Sequence, residues 1–338
     1  MRKAAREAAS AALQWSGLGR AFEVAARPSG AIILMYHSVA TDEAAGFVDP
    51  RNRMPPALFE RQMAFLSAHR QVVPLSQLVE QIASGGTPPV GTVCVTFDDG
   101  YLDNLTVAAP ILERHRLPAT LFLATGYVER GEAQWADVLH SHFKYRTRHA
   151  LSLPDAGIDR TNLASRAALD AARGLLHRCL LAADHEGRVR LLGEIERQLL
   201  PAAKPPRLTM NWDDARKLRS RYPSFDIGGH TRNHVDLRAR RGETARTEIT
   251  GCGEDLRREL GVEPGHFAFP YERWCAETRD LVVASGWKSA LGMGNAYRIT
   301  PASDRFALPR VESPGSMTAL RFKTSGAFPG SLSMLGLM

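Results

Sequence analysis

Six short runs rich in apolar, β-branched and aromatic residues constrain this chain most: AIILMY (31–36), TVCVTF (92–97), ATLFLA (119–124), FDIG (225–228), HFAF (266–269) and WKSAL (287–291). Each has the length of a strand. Runs that stay apolar without alternating must be covered on both faces, as in a parallel α/β sheet or barrel. Between them lie stretches with helical spacing. Residues 58–69 carry Leu58, Phe59, Met63 and Leu66 behind a Pro55-Pro56 start, and 75–83 end at Ser84-Gly85-Gly86. Further helices are expected over 108–116, 213–221, 243–260 and 277–285. Strands alternating with helices point to a (β/α) barrel or a doubly wound sheet, and 338 residues hold one such barrel or two ordinary domains. Residues from about 130 to 208 break the rhythm. They show long Leu/Ala/Arg-rich helical stretches without an evident strand, end at PAAKPP (201–206), and are expected to form a helical insertion.

With 44% hydrophobic and 23% charged residues the chain is a folded globular one. Its net charge of +7 comes from short clusters such as Arg216, Lys217, Arg219 and Arg221. These are read as solvated helix faces, with attraction to an anionic membrane or glycan as the alternative. No basic stretch is interleaved with aromatics, so no nucleic-acid partner is expected. Cys94, Cys179, Cys252 and Cys275 form no close pair and are read as free thiols of a reducing compartment. In the N-terminal MRKAAREAASAALQWSGLGRAF, Arg6 and Glu7 interrupt any apolar core, and no 18-residue apolar stretch exists to span a membrane. A cytoplasmic protein is expected. Residues 1–28 are read as a helical segment that packs on the domain or, through residues 1–25, makes weak peripheral membrane contact.

The chemistry concentrates at strand ends. In TFDDG (96–100) a strand runs straight into two adjacent carboxylates, a costly pair unless a cation or a shared proton relieves it. Asp-Asp-Gly is also good turn chemistry, but the strand before it favours a site. In GHTRNH (229–234), His230 and His234 can face one way if the segment is helical, the spacing a shared metal needs. Among 11 histidines that spacing alone decides nothing. Placement does more: His37, the Asp98-Asp99 pair, His230 and Pro270-Tyr271 each follow a predicted strand. In a parallel barrel all strand C-termini open on one face, where active sites sit. One carboxylate and two imidazoles suit a divalent metal with open positions.

Together TFDDG, HTxxH and FxxPY (267–271) resemble the polysaccharide deacetylase family, also called the NodB-homology family or carbohydrate esterase family four, over residues 31–312. The resemblance implies a distorted (β/α) barrel at 29–312, with the helical insertion at about 130–208 and a tail at 313–338. It also implies Asp99, His230 and His234 as metal ligands and Asp98 as the general base. The backbone N–H of Tyr271 is then the donor to the oxyanion. Zn²⁺ is the first expectation for the metal, with Co²⁺, Ni²⁺ and Mn²⁺ also accommodated by such a ligand set. Metal, base, oxyanion donor and general acid make a coherent amide hydrolysis.

Two departures from the family pattern matter. Ala268 stands where the family carries an arginine that orients the base, and Arg310 in FALPRV is the candidate substitute. No histidine follows His266 to act as general acid. LMYHSV, however, resembles the branch acting on poly-N-acetylglucosamine and other exopolysaccharides, which makes His37 the candidate acid; a hydrogen-bonded core histidine is the plainer alternative. His266 opens its strand and should lie at the opposite rim. Trp135 and Trp212 are read as packing residues, Trp135 with a sugar groove as the alternative, and HSHFKYRTRH (140–149) as a polar helix surface. The expected activity is removal of N-acetyl groups from an amino-sugar polysaccharide or a lipid-linked oligosaccharide in surface polysaccharide assembly. A deformylase or deacylase of a small lipid-linked sugar is the rival enzyme. A silent glycan-binding module is the rival of another class, disfavoured by the retention of Asp98, Asp99, His230 and His234.

Overall fold

The computed structural model describes residues 30–263, 265–293 and 297–325; the expected N-terminal helical segment lies outside them. The chain opens with β1 (Ile32–Tyr36), α1 (Asp42–Ala45), α2 (Pro56–His69), β2 (Gln71–Val72), α3 (Leu75–Ala83) and β3 (Thr92–Phe97). A π-helical turn (Asn104–Ala108) leads into α4 (Ala109–His115), followed by β4 (Ala119–Leu123) and α5 (Thr125–Arg130). Next come α6 (Trp135–Lys144), β5 (Ala150–Leu153), β6 (Ile158–Asn162), α7 (Arg166–Ala182) and α8 (His185–Leu199). The last part holds α9 (Trp212–Arg221), β7 (Phe225–Gly229), α10 (Gly242–Leu260), β8 (His266–Ala268), α11 (Ala276–Ala284), β9 (Ser289–Leu291), β10 (Val311–Glu312) and α12 (Met317–Lys323). No described helix is long and apolar enough to cross a membrane.

The main sheet runs β10-β1-β3-β4-β7-β8-β9, with β2 also on β3, and every pairing along it is parallel. All residues of β3 and β4 are buried, which is why their sequences show no alternation. One segment joins the two ends of the order. Leu308 exchanges backbone bonds with Ala290 and Gly292 beside β9 at 2.9 Å each, and three residues later Val311 pairs with Leu34 of β1. The sheet is thereby curled into the expected distorted (β/α) barrel. Local signals set its helices: α9 starts with a capping box of Asn211 and Asp214, and α10 stops at Gly261, whose φ is +61°.

Three expectations need correction. The insertion is not purely helical, because β5 and β6 form an antiparallel hairpin around a 3₁₀ turn at Pro154–Ala156. Its strands are too short and too flanked by charge to stand out, yet Leu151, Leu153 and Ile158 enter the insertion's own apolar core. Residues 140–149 are not a polar surface: Ser141, His142 and Phe143 are buried, since Trp135, Leu139 and Phe143 recur every four residues on the face turned to that core. The expected tail begins with α12, which buries Leu320, and just before it the Pro314 carbonyl accepts from the Gln62 amide at 2.6 Å.

Close packing between β4, β7 and β8 rests on two glycines. A Cβ on Gly228 would lie 2.5 Å from the His266 carbonyl oxygen and 2.6 Å from the Phe122 ring. At Gly229 it would meet the Trp287 indole at 2.4 Å. Gly228→Ala is therefore expected to destabilise the protein by about 1–3 kcal/mol or more through overpacking. Urea unfolding should show a lower midpoint at an unchanged slope; an unchanged midpoint refutes this account of the glycine.

Candidate active site

Asp98 extends the β3 ladder, its N–H donating to the Tyr36 carbonyl at 3.0 Å. Asp99, with φ +76°, leaves the ladder and turns its buried carboxylate into the rim. His230 likewise extends β7, donating to the Leu123 carbonyl at 2.9 Å. The segment after it is not helical, contrary to the condition set on the histidine pair. It is a tight loop in which Thr231 (φ +61°) and His234 (φ +49°) are left-handed. The Glu248 carboxylate of α10 holds the loop, accepting from the N–H groups of Arg232 and Asn233 at 2.9 and 2.8 Å. The result is what a helical turn would have given, two imidazoles on one side with centroids 4.8 Å apart.

Both rings aim Nε2 at Asp99, at 3.1 Å for His234 and 3.7 Å for His230. One ligand atom from each of the three residues lies within 4.8 Å of the others. Their remaining nitrogens are committed: His230 Nδ1 donates to the Ala268 carbonyl at 2.7 Å, and His234 Nδ1 pairs with the Tyr271 hydroxyl at 2.9 Å. Such outer bonds orient imidazoles for a metal. Asp99 Oδ1 is buried and faced by both Nε2 atoms; with the ring protons on Nδ1, neither Nε2 donates to it, and it is left an orphan acceptor that a cation satisfies. Burial, outweighing the nearby Asp98, lowers His230 to about 4, so its ring is neutral as a ligand must be. Burial pushes the Asp99 carboxyl up, but the surrounding histidines outweigh it and hold it below the usual carboxylate range. The donor set therefore fits a divalent metal.

Beside it, Arg310 grips Asp98 with two parallel bonds of 2.7 and 2.8 Å, both side chains being fully buried. Arg310 arrives on the segment that closes the barrel, while Ala268 contributes only the carbonyl under His230. Burial raises the Asp98 carboxyl, yet Arg310 and His230 together bring it below its ordinary value. Arg310 Nε also donates to Glu272 at 3.2 Å, a rim carboxylate the sequence reading did not single out.

Tyr271 sits in a 3₁₀ turn (Pro270–Glu272) with φ +57°. The neighbouring N–H groups of Glu272 and Arg273 are used within the turn, and that of Tyr271 is not among these bonds. Its hydroxyl, which the sequence reading left unassigned, lies between His234 and the Trp135 indole N–H, the latter at 3.0 Å. His37 follows β1, half-buried and within electrostatic reach of Asp98, Asp99 and Glu272. The Asn104 amide holds its carbonyl at 2.8 Å. His266 lies apart, bonded to Ser289 at 2.8 Å. Asp99, Thr231, His234, Tyr271 and Glu272 are five of the eight non-glycine residues with positive φ among the described residues. Backbone strain of this kind gathers at functional sites.

The fold and rim define a parallel α/β barrel whose carboxylate and two imidazoles could hold a metal ion. Within it, the polysaccharide deacetylase family model matches residues 85–170 and 200–290, more than half the chain, and the chain belongs to that family. YxkH of Bacillus subtilis, named for polysaccharide deacetylases, is 26% identical over 139 residues, 40% of this chain and 46% of that one. The match thus spans about half the length of that relative. Among solved structures, the deacetylase PplD of Streptococcus pyogenes in complex with acetate has a TM-score of 0.57 at 17% identity, covering 88% of this chain and 99% of that one. IcaB of Ammonifex degensii has a TM-score of 0.55 at 15% identity, covering 90% and 99%. At these identities the likeness shows the fold.

Removing Arg310 leaves a buried carboxylate unpaired. Arg310→Met is expected to cost about 3–5 kcal/mol near neutral pH in the metal-free protein. The folded Asp98 carboxyl titrates below its unfolded value of about 3.9. Its ion pair therefore stabilises the fold above that value and is lost as pH falls through the folded one. In the variant unopposed burial raises Asp98, so the deficit should shrink on acidification. A deficit in urea unfolding that is constant with pH counts against the pairing.

Proposed function

We propose that this protein is a metal-dependent hydrolase that removes N-acetyl groups from an amino-sugar polysaccharide or its lipid-linked intermediate in surface polysaccharide assembly. One observation carries the reading: an ionised carboxylate, Asp98, is locked by Arg310 beside the orphan acceptor of Asp99 and two oriented imidazoles. Asp99, His230 and His234 would hold the metal, Zn²⁺ first among Co²⁺, Ni²⁺ and Mn²⁺. Bound there, the cation supplies Lewis acidity towards the acetyl carbonyl and lowers the pKa of the attacking water. Asp98 accepts the water proton through lone pairs that Arg310 leaves open. The Tyr271 N–H donates to the oxygen that gains negative charge at the tetrahedral stage. As the C–N bond breaks, His37 hands a proton to the nitrogen, releasing acetate and a free amine. Membership in the deacetylase family supports the reaction class.

Asp98→Asn keeps the shape and removes the proton acceptor. It should retain metal and lose turnover by orders of magnitude; near-normal acetate release from acetylated chitooligosaccharides rules Asp98 out as base. His37→Ala should also retain metal, and its loss should be far larger on the acetamide than on an activated ester, whose leaving group needs little protonation. Equal losses on both substrates, or loss of metal, assign His37 a structural or ligand role. Chelation should abolish activity and re-addition of metal restore it. A purified protein without divalent metal whose activity survives chelators overturns the whole reading.

A further inference from the structure

The family model passes over the chain between residues 170 and 200, where α7 ends and α8 lies. From α8 the Arg188 side chain reaches inward until it is 1% exposed. Its Nε donates to the Leu180 carbonyl at 2.9 Å, and Nη1 donates to the Asn233 carbonyl at 2.7 Å. Both Nη1 and Nη2 lie 3.3 Å from the His234 carbonyl oxygen. The guanidinium also stacks over the Trp135 ring, 5.4 Å from its centroid. Every one of these partners is neutral. Among the described residues no carboxylate pairs with it, and a buried cation so placed is a poor way to stabilise a fold, so what it fixes in place matters more than what it adds in energy.

What it fixes is the peptide on either side of His234, a residue with φ +49°. The imidazole of the same residue is held from the other direction: Trp135 Nε1 bonds the Tyr271 hydroxyl at 3.0 Å, and that hydroxyl pairs with His234 Nδ1 at 2.9 Å. Trp135 on α6 and Arg188 on α8 both lie in the segment between β4 and β7, Arg188 in the part that the family model passes over and Trp135 ahead of it. His230 needs neither, since its bonds go to Leu123 and Ala268 of the barrel. We propose that the insertion is the outer wall of the metal centre, with Arg188 and Trp135 as positioning residues that hold His234 in ligand geometry through its carbonyl and its ring. This rests on the reading of Asp99, His230 and His234 as the metal centre.

The test is metal binding by the full-length, metal-free protein rather than activity. Zn²⁺ is titrated against a chromophoric chelator, and Co²⁺ is added separately to read its visible d–d spectrum. Arg188→Met and Trp135→Phe should each raise the Zn²⁺ Kd on the order of 10–100-fold and change the Co²⁺ spectrum, with an unaltered far-ultraviolet circular dichroism spectrum. Arg188→Lys should restore part of the affinity. Should Arg188→Met fail to fold, Trp135→Phe decides, because it deletes one N–H donor and keeps an aromatic side chain in place. Wild-type Kd and Co²⁺ spectrum in Trp135→Phe and in any folded Arg188→Met overturn the proposal and leave the insertion as packing. Asp99→Ala is the control: if it binds like the wild type, the metal-centre reading itself fails, a result distinct from wild-type affinity in the insertion variants alone.

Discussion

The buried Arg310–Asp98 pair is the interaction on which the rest depends. Two full charges in a barrel interior are tolerated only with near-ideal geometry, and the two parallel bonds meet that condition. The geometry in turn requires the 308–312 segment to lie between β9 and β1, because that is where Arg310 can reach Asp98 at the end of β3. Barrel closure and the charge state of the proposed base are thus one structural fact. Arg310 Nε then ties in Glu272, next to Tyr271 in a turn whose residues hold strained φ values. A single guanidinium so connects the last strand, the proposed base and the turn that carries the proposed oxyanion donor.

Much of this was legible in the sequence. The main barrel strands announced themselves because a strand buried on both faces must be largely apolar or β-branched without alternation, and TVCVTF and ATLFLA are. The rim was legible because a parallel barrel puts all strand C-termini on one face, so the strands that precede His37, Asp98, Asp99, His230 and Tyr271 bring them together. Arg310 was legible only through the family resemblance, which implies a base-orienting arginine where this chain has Ala268.

What was hidden was tertiary. β2 and β10 are two residues each and exist only because β3 and β1 offer edges. The loop from His230 to His234 brings its rings together by left-handed residues and the Glu248 carboxylate, neither of which the four-residue spacing reveals. The Tyr271 hydroxyl was invisible because the resemblance spoke only for its backbone. Glu272 and Arg188 carry no local pattern. Each is one charged residue among many, and only burial and partners set it apart.

The site therefore divides by origin. Asp98, Asp99 and His230 stand on strand ends, where the ladder itself fixes the backbone; His234 stands on a loop, and a loop needs outside support to be as well placed. That support must be anchored to the barrel, or its own motion would pass to His234. Asp137 of α6, two residues beyond Trp135, supplies the anchor: its buried carboxyl accepts from the Tyr101 hydroxyl, just past TFDDG, and from the Asp49 N–H, each at 2.7 Å. The helix that carries Trp135 is thus bolted to the same loop that carries Asp98 and Asp99. Strand-borne and loop-borne members of the proposed metal centre share one frame, and their separation is set by it.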